Sequence, residues 1–122
     1  MSYKKINETK VYKLAFELAM KIFEISKRFP KEEIYSLTDQ IRRSGRSVCS
    51  CLAEAGRKRL YIAHFISKIS DADMENAETQ TWVRFARACK YISTEEHNGL
   101  FKLSEQVGNL LNHMIDNPEK YK

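Results

Sequence analysis

The sequence is poor in the residues that turn a chain sharply: of 122 residues only 4 are glycine and 2 are proline. Sandwiches and barrels need such residues at every tight turn, so their scarcity points away from β architecture and toward helices. Long apolar runs are also missing. No stretch approaches the roughly 20 apolar residues that cross a bilayer, and no membrane association is expected. The opening Met1-Ser2-Tyr3-Lys4-Lys5-Ile6-Asn7-Glu8 is too polar to lead into the apolar core of a secretion signal, which predicts a cytoplasmic protein.

Cysteine is limited to Cys49, Cys51 and Cys89, an odd set without the paired spacing of a zinc site or a disulfide framework. On a helix, residues two apart point about 200° away from each other, so Cys49 and Cys51 cannot clamp one metal. All three are expected to be reduced small fillers of a packed interior. Histidine is equally sparse. Three positions before His64, His97 and His113 stand Tyr61, Thr94 and Leu110, so the Glu-x-x-His pairs of di-metal bundles are missing. There is no His-x-x-x-His pair, no glycine-rich phosphate loop and no nucleophile elbow. The run Asp71, Asp73, Glu75 and Glu78 lacks a histidine or a second acidic helix beside it, and is expected to be a solvated or salt-bridged face. No metal, cofactor or catalytic activity is therefore expected.

What the chain does have is helical periodicity in four segments. Val11, Ala15, Leu18, Ile22, Ile25 and Phe29 recur at spacings of three and four, with Leu14, Ala19 and Phe23 widening the stripe, until Pro30 stops the helix. Ser36 and Asp39 have capping-box spacing and open a second segment, whose inward stripe is Leu37, Ile41, Ser44, Val48, Leu52 and Ala55. Gly56, followed by Arg57, Lys58 and Arg59, marks an end or a bend near residues 56–60. A long third segment places Phe65, Ile69, Ala72, Asn76, Thr79, Val83 and Ala86 on one face, flanked by Trp82 and Phe85. Asn76 and Thr79 interrupt that apolar stripe and are expected to be satisfied buried groups that fix register. Ser93 and Glu96 form a better capping box before Leu100, Leu103, Val107, Leu110 and Met114, and Asn117-Pro118 ends the fourth segment. The spacing predicts helices over about 8–29, 36–58, 61–91 and 94–117. Short links make sequence neighbours antiparallel, and four apolar stripes can be hidden together only in an up-down-up-down four-helix bundle, a single all-α domain over residues 1–122.

The net charge of +5 is concentrated unevenly. Residues 36–60 hold 6 basic side chains against 2 acidic ones, whereas residues 92–122 are net acidic. Advancing about 100° per residue from the core stripe puts Arg42, Arg43, Arg46 and Arg57 on the face opposite the core, over roughly 22 Å of helix. Lys58 and Arg59 extend the charge beyond its end. A guanidinium can grip phosphate through two hydrogen bonds, so such a row could follow a nucleic-acid backbone; it could equally be a solvated face, or pair with acidic groups of a protein partner. Beside it, Gly45, Cys49, Ala53 and Gly56 form a narrow strip of small side chains that lets another helix approach closely, either within the bundle or from another subunit.

Several segments carry a family likeness: Phe29-Pro30-Lys31-Glu32-Glu33, Tyr35-Ser36-Leu37-Thr38-Asp39-Gln40-Ile41-Arg42-Arg43, Ser47-Val48, Leu52-Ala53-Glu54, Glu78-Thr79-Gln80 and Tyr91-Ile92. Through them the chain resembles, over almost its whole length, the bacterial four-helix bundle family first noted as proteins encoded in intervening sequences of large-subunit ribosomal RNA genes. The resemblance implies a bundle that assembles as a ring-like homopentamer. A similar protein accompanies the reverse transcriptase of diversity-generating retroelements, where a basic pentamer binds nucleic acid and the enzyme. Carried over, the implied positive positions are Arg42, Arg43 and Arg46, with Arg57 and Lys58 following. Cys49, Cys51 and Ala55 stand where many members have proline, asparagine and glycine, which favours a more regular second helix here. Two functions are expected to compete: a non-catalytic RNA- or DNA-binding oligomer, and a module that binds only protein, whether copies of itself or a client.

Overall fold

The structure, a computed structural model, describes residues 5–121. Four helices carry the fold: α1 (Lys10–Ser26), α2 (Leu37–Arg57), α3 (Ile62–Ala88) and α4 (Thr94–Asp116), with short 3-10 turns at Ile6–Glu8, Lys31–Glu33 and Pro118–Tyr121. Each helix packs against two others, α1 on α2 and α4, and α3 on α2 and α4. Arg42 meets Ser26 while Gly45 meets Ile22, so α1 and α2 run antiparallel. Thr79 meeting Ser44 while Lys68 meets Glu54 sets the same relation for α2 and α3. The bundle is the all-α up-down-up-down form expected from the periodicity.

Local chemistry explains where the helices start and stop. Thr9 caps α1 by accepting the Tyr12 N–H, and the helix ends at Ser26, three residues earlier than expected. There the N–H groups of Lys27, Arg28 and Phe29 turn to carbonyls three residues back, a tightened turn that precedes Pro30. The capping box expected at Ser36 does not form. Instead the Glu33 carboxylate, reaching back from the preceding turn, accepts the Leu37 N–H at 3.2 Å. The box at Ser93 and Glu96 forms in both directions. α3 ends at Ala88, short of the expected residue 91, in a Schellman motif: Tyr91 N–H donates to Ala86 and Lys90 N–H to Arg87, with Lys90 in the left-handed region at φ 65°.

The interior has two apolar halves separated by a polar layer. One half gathers Val11, Val48, Leu52, Phe65, Ile69, Leu111 and Met114. The other gathers Leu18, Ile22, Ile41, Val83, Leu100 and Leu103. Between them the hydroxyls of Thr79 and Ser44 share a 2.8 Å hydrogen bond. Across the bundle, Asn76 donates to the Ser104 carbonyl at 3.0 Å and accepts from the Ser104 hydroxyl, which accepts in turn from Gln80. Asn76 and Thr79 are thus buried and satisfied, as expected. In α4 the fully buried residue is Leu111, and Leu110 sits at the edge of the core; the expected stripe was one position out at that turn. No described helix is long and apolar enough to cross a membrane.

Candidate nucleic-acid interface

The basic residues of α2 do not form one uniform row. Arg42 is half-buried: its Nε donates to Ser26 Oγ at 2.7 Å, and its guanidinium lies 4.9 Å from the centre of the Phe23 ring. Arg46 reaches the same ring at 5.7 Å, and Lys27 of the α1 end reaches it at 4.7 Å. Three cations from two helices therefore converge on Phe23, whose negative ring face holds them near one another against their mutual repulsion. Sequence reasoning missed Lys27 and gave Phe23 only a packing role. The available signal was the four-residue spacing from Phe23 to Lys27, which places the amine over the ring on the same helix.

The remaining expected positions spread along and past α2. Arg43 is exposed, with its Nη1 4.0 Å from an Asp39 oxygen one turn back, too long to immobilise it. Arg57 is exposed at the last turn, and the amine of Lys58 lies 6.0 Å from the Tyr61 ring centre. Arg59 is half-buried and its Nη1 donates to the Gly56 carbonyl at 3.4 Å, so it folds back on its own helix end. The structure thus gathers Lys27, Arg42 and Arg46 into a cluster, leaves Arg43, Arg57 and Lys58 exposed, and turns Arg59 inward.

The small strip is used mainly inside the bundle. A Cβ added at Gly45 would sit 3.5 Å from Ile22 and 3.7 Å from the Ala19 backbone, ordinary contact distances with α1. One added at Gly56 would lie 2.9 Å from Ile6, so here the missing side chain is what lets the 3-10 turn of Ile6–Glu8 lie on α2. Gly56 is an interior helical residue with negative φ; the helix ends one residue later at Arg57. Cys49 and the exposed Ala53 instead border an open groove of about 340 Å³ between α1 and α2, with Phe16 and Met20 on its other side and Arg46 at its rim.

On its opposite flank α2 faces acid. Lys68 pairs with Glu54 at 2.7 Å and lies 4.0 Å from Asp71, so part of the acidic run of α3 is salt-bridged, as expected. Glu75 is held above the usual carboxyl range by burial first, then by the neighbouring Glu78. No group of three or more metal-ligating side chains comes together among the described residues. Burial pushes the Cys49 thiol up to about 11 and raises Cys51 as well, in keeping with half-buried fillers. Cys89 departs from that expectation and is exposed, because it lies beyond the end of α3.

An all-α four-helix bundle is the class that the fold defines. The chain belongs to the 23S rRNA-intervening sequence protein family, whose family model matches residues 7–113. Among solved structures it is similar to a protein of unknown function from the S23 ribosomal protein family of Bacteroides thetaiotaomicron. That likeness has a TM-score of 0.80 at 28% sequence identity, and covers 93% of this chain and 99% of that one. No protein of curated function matches the chain.

Proposed function

We propose that this protein is a non-catalytic, cytoplasmic RNA-binding bundle that works as a homo-oligomer and grips phosphates with the basic side of α2. The observation that carries this reading is the convergence of Lys27, Arg42 and Arg46 on Phe23, continued by exposed Arg43, Arg57 and Lys58. Cations held near one another before binding lose less side-chain freedom when a phosphate arrives. Contacts of this kind give affinity without reading bases and do not distinguish RNA from DNA. The link between the family and ribosomal RNA genes favours RNA.

Counterion release supplies the test. If Arg43, Arg46, Arg57 and Lys58 each neutralise one phosphate, log affinity for a duplex falls with log salt at a slope of about −3.6 per engaged subunit. Filter binding across a salt series measures that slope. An Arg43→Glu/Arg46→Glu variant, changed only at exposed positions, should bind far more weakly at every salt concentration. Binding that ignores salt, or is equal for the variant, removes the proposal.

A second reading, a module that binds only protein, is favoured by two surfaces. Phe16 and Met20 are about half exposed beside Arg46, while the exposed Met74 lies on α3 near Asp71 and Glu78. An apolar patch with a basic rim on one subunit suits an apolar patch with an acidic rim on the next, and such a head-to-tail contact can close a ring like the pentamer that the family resemblance implies. Light scattering on the same double variant separates the two: an oligomer that falls apart in a protein that never binds RNA favours the second.

A further inference from the structure

The aromatic surface beside the N-terminal turn of α2 lies apart from the Lys27, Arg42 and Arg46 cluster and meets the basic side only at Arg43. Tyr35 is 93% exposed, the highest value among the exposed large hydrophobic residues described, and Phe85 is 53% exposed on the same surface. Tyr35, Leu37, Trp82 and Phe85 wall a cleft of about 420 Å³ between the start of α2 and the last turns of α3. Trp82 and Phe85 lie with ring centres 5.9 Å apart, tilted by 39°, and the buried Trp82 indole N–H has no hydrogen-bond partner, so packing alone fixes that ring.

The rim of this cleft is polar in a specific way. Glu33 is held by the Tyr91 hydroxyl at 2.8 Å and by the Leu37 N–H, and those bonds keep its carboxyl below the usual range, hence ionised. Gln40 adds an amide that both donates and accepts. Arg43 stands three residues on from Gln40, one turn along the same side of α2, and its side chain is 71% exposed. The site therefore offers flat apolar walls, a fixed acceptor and an amide at one edge, and a mobile cation just outside.

Resting on the RNA-binding reading above, we propose that this cleft captures an unstacked base of single-stranded RNA, with Tyr35, Trp82 and Phe85 supplying stacking faces and Arg43 meeting the attached phosphate. A fixed carboxylate at the base edge selects bases that carry an exocyclic amino group, as it does when it accepts from cytosine N4, and disfavours uracil. An apolar protein anchor would make no use of the Gln40 amide or of the acceptor capacity that Glu33 keeps beyond its bonds from Tyr91 and Leu37. Stacking on aromatic side chains is how single strands are held without strict sequence choice, whereas a duplex keeps its bases out of reach.

Trp82 is the only tryptophan, so its fluorescence reports on the cleft directly. Cys89, the exposed thiol, lies on the rim, so its rate of reaction with a maleimide gives a second readout. The wild-type protein is titrated with an octamer of cytidine, an octamer of uridine, cytidine 5′-monophosphate and a short RNA duplex. The cytidine octamer should quench Trp82 saturably and protect Cys89, the uridine octamer should bind more weakly, and the duplex should bind without either signal. Tyr35→Ala and Phe85→Ala, both at exposed positions, should each weaken octamer binding by about 5- to 150-fold and leave duplex binding unchanged.

If duplex and octamer both bind through the arginines but neither quenches Trp82, the cleft proposal fails and the basic-side reading stands. If charge reversal at Arg46, Arg57 and Lys58 leaves duplex and octamer binding unchanged, yet cytidine 5′-monophosphate quenches Trp82 in a way that depends on Tyr35 and Arg43, the cleft stands and the basic-side reading fails. Octamer binding untouched by the Tyr35→Ala/Phe85→Ala double change overturns the proposal. So does a co-purifying protein that depends on Tyr35 while neither the octamers nor the monophosphate quench Trp82.

Discussion

Lys90 occupies a backbone conformation that costs an L-residue about 1–2 kcal/mol, yet it closes α3 where glycine is the usual choice. Its motif is complete, with both reverse hydrogen bonds formed, so the strain is borne by the geometry around it. Lys90→Gly should therefore stabilise the fold by about 0.5–1 kcal/mol, the gain being reduced by the larger freedom of glycine in the unfolded chain. A shift of the urea midpoint to higher concentration at unchanged slope checks it. The site residues divide at this scale too. The outward placement of Arg43, Arg46 and Arg57 was legible from a helical wheel, because angle alone decides it. The seating of Arg42 on Ser26 and Phe23 was not, since it depends on where α1 lies beside α2. The inward turn of Arg59 depends on a carbonyl freed by the helix end.

Among the elements, the stripes of α2 and α3 were read correctly residue by residue, because a three-four alternation of apolar side chains has only one face to bury. In α4 the adjacent Leu110 and Leu111 offered two equally apolar choices about 100° apart, and neighbouring helices decided for Leu111. Ser104 escaped notice because a serine in a stripe carries no signal until its partners Asn76 and Gln80 are known. The Ser36 capping box gave way to Glu33 upstream, whose backbone carbonyl accepts the Ser36 N–H and whose carboxylate accepts the Leu37 N–H. Exposure of Cys89 followed from a helix that stopped earlier than its periodicity suggested. The polar layer makes a prediction at this level. Asn76→Leu removes the donor to the Ser104 carbonyl and the acceptor of the Ser104 hydroxyl, which keeps only its bond from Gln80, and should cost about 1–3 kcal/mol for each buried group left unsatisfied. Replacing Ser44 and Thr79 together by Ala and Val removes both partners of one bond and should cost much less. Chemical denaturation of the two variants compares them.

For the molecule as a whole, two contacts stitch together the end of the bundle that holds the α1–α2 and α3–α4 connections. Arg28 pairs with Glu96 at 2.6 Å, and Glu33 accepts from Tyr91, whose ring also packs on Phe29. The Arg28 bond holds the Glu96 carboxyl below the usual range, and the Tyr91 bond does the same for Glu33. A lowered folded-state value means that the stability from each carboxylate is present above its ordinary range, around pH 4.5, and is lost as pH falls through the lowered value. Acid should therefore loosen this end first. Amide hydrogen exchange near pH 3 should show protection falling around residues 28–37 and 91–99 before it falls at the opposite end; uniform loss would count against that account. The aromatic cleft shares Glu33 with this clamp, so single-strand capture should weaken over the same range.

The hydroxyls and amides at mid-height of the bundle have a further consequence. Sliding α2 or α4 along α3 by a turn, about 5.4 Å, would strand those groups opposite hydrocarbon, so these three rods resist ratcheting past one another in small steps. Signals that travel by sliding of α2 or α4 along α3 are thereby disfavoured in this scaffold. Whatever strand or subunit docks on it must do the bending itself.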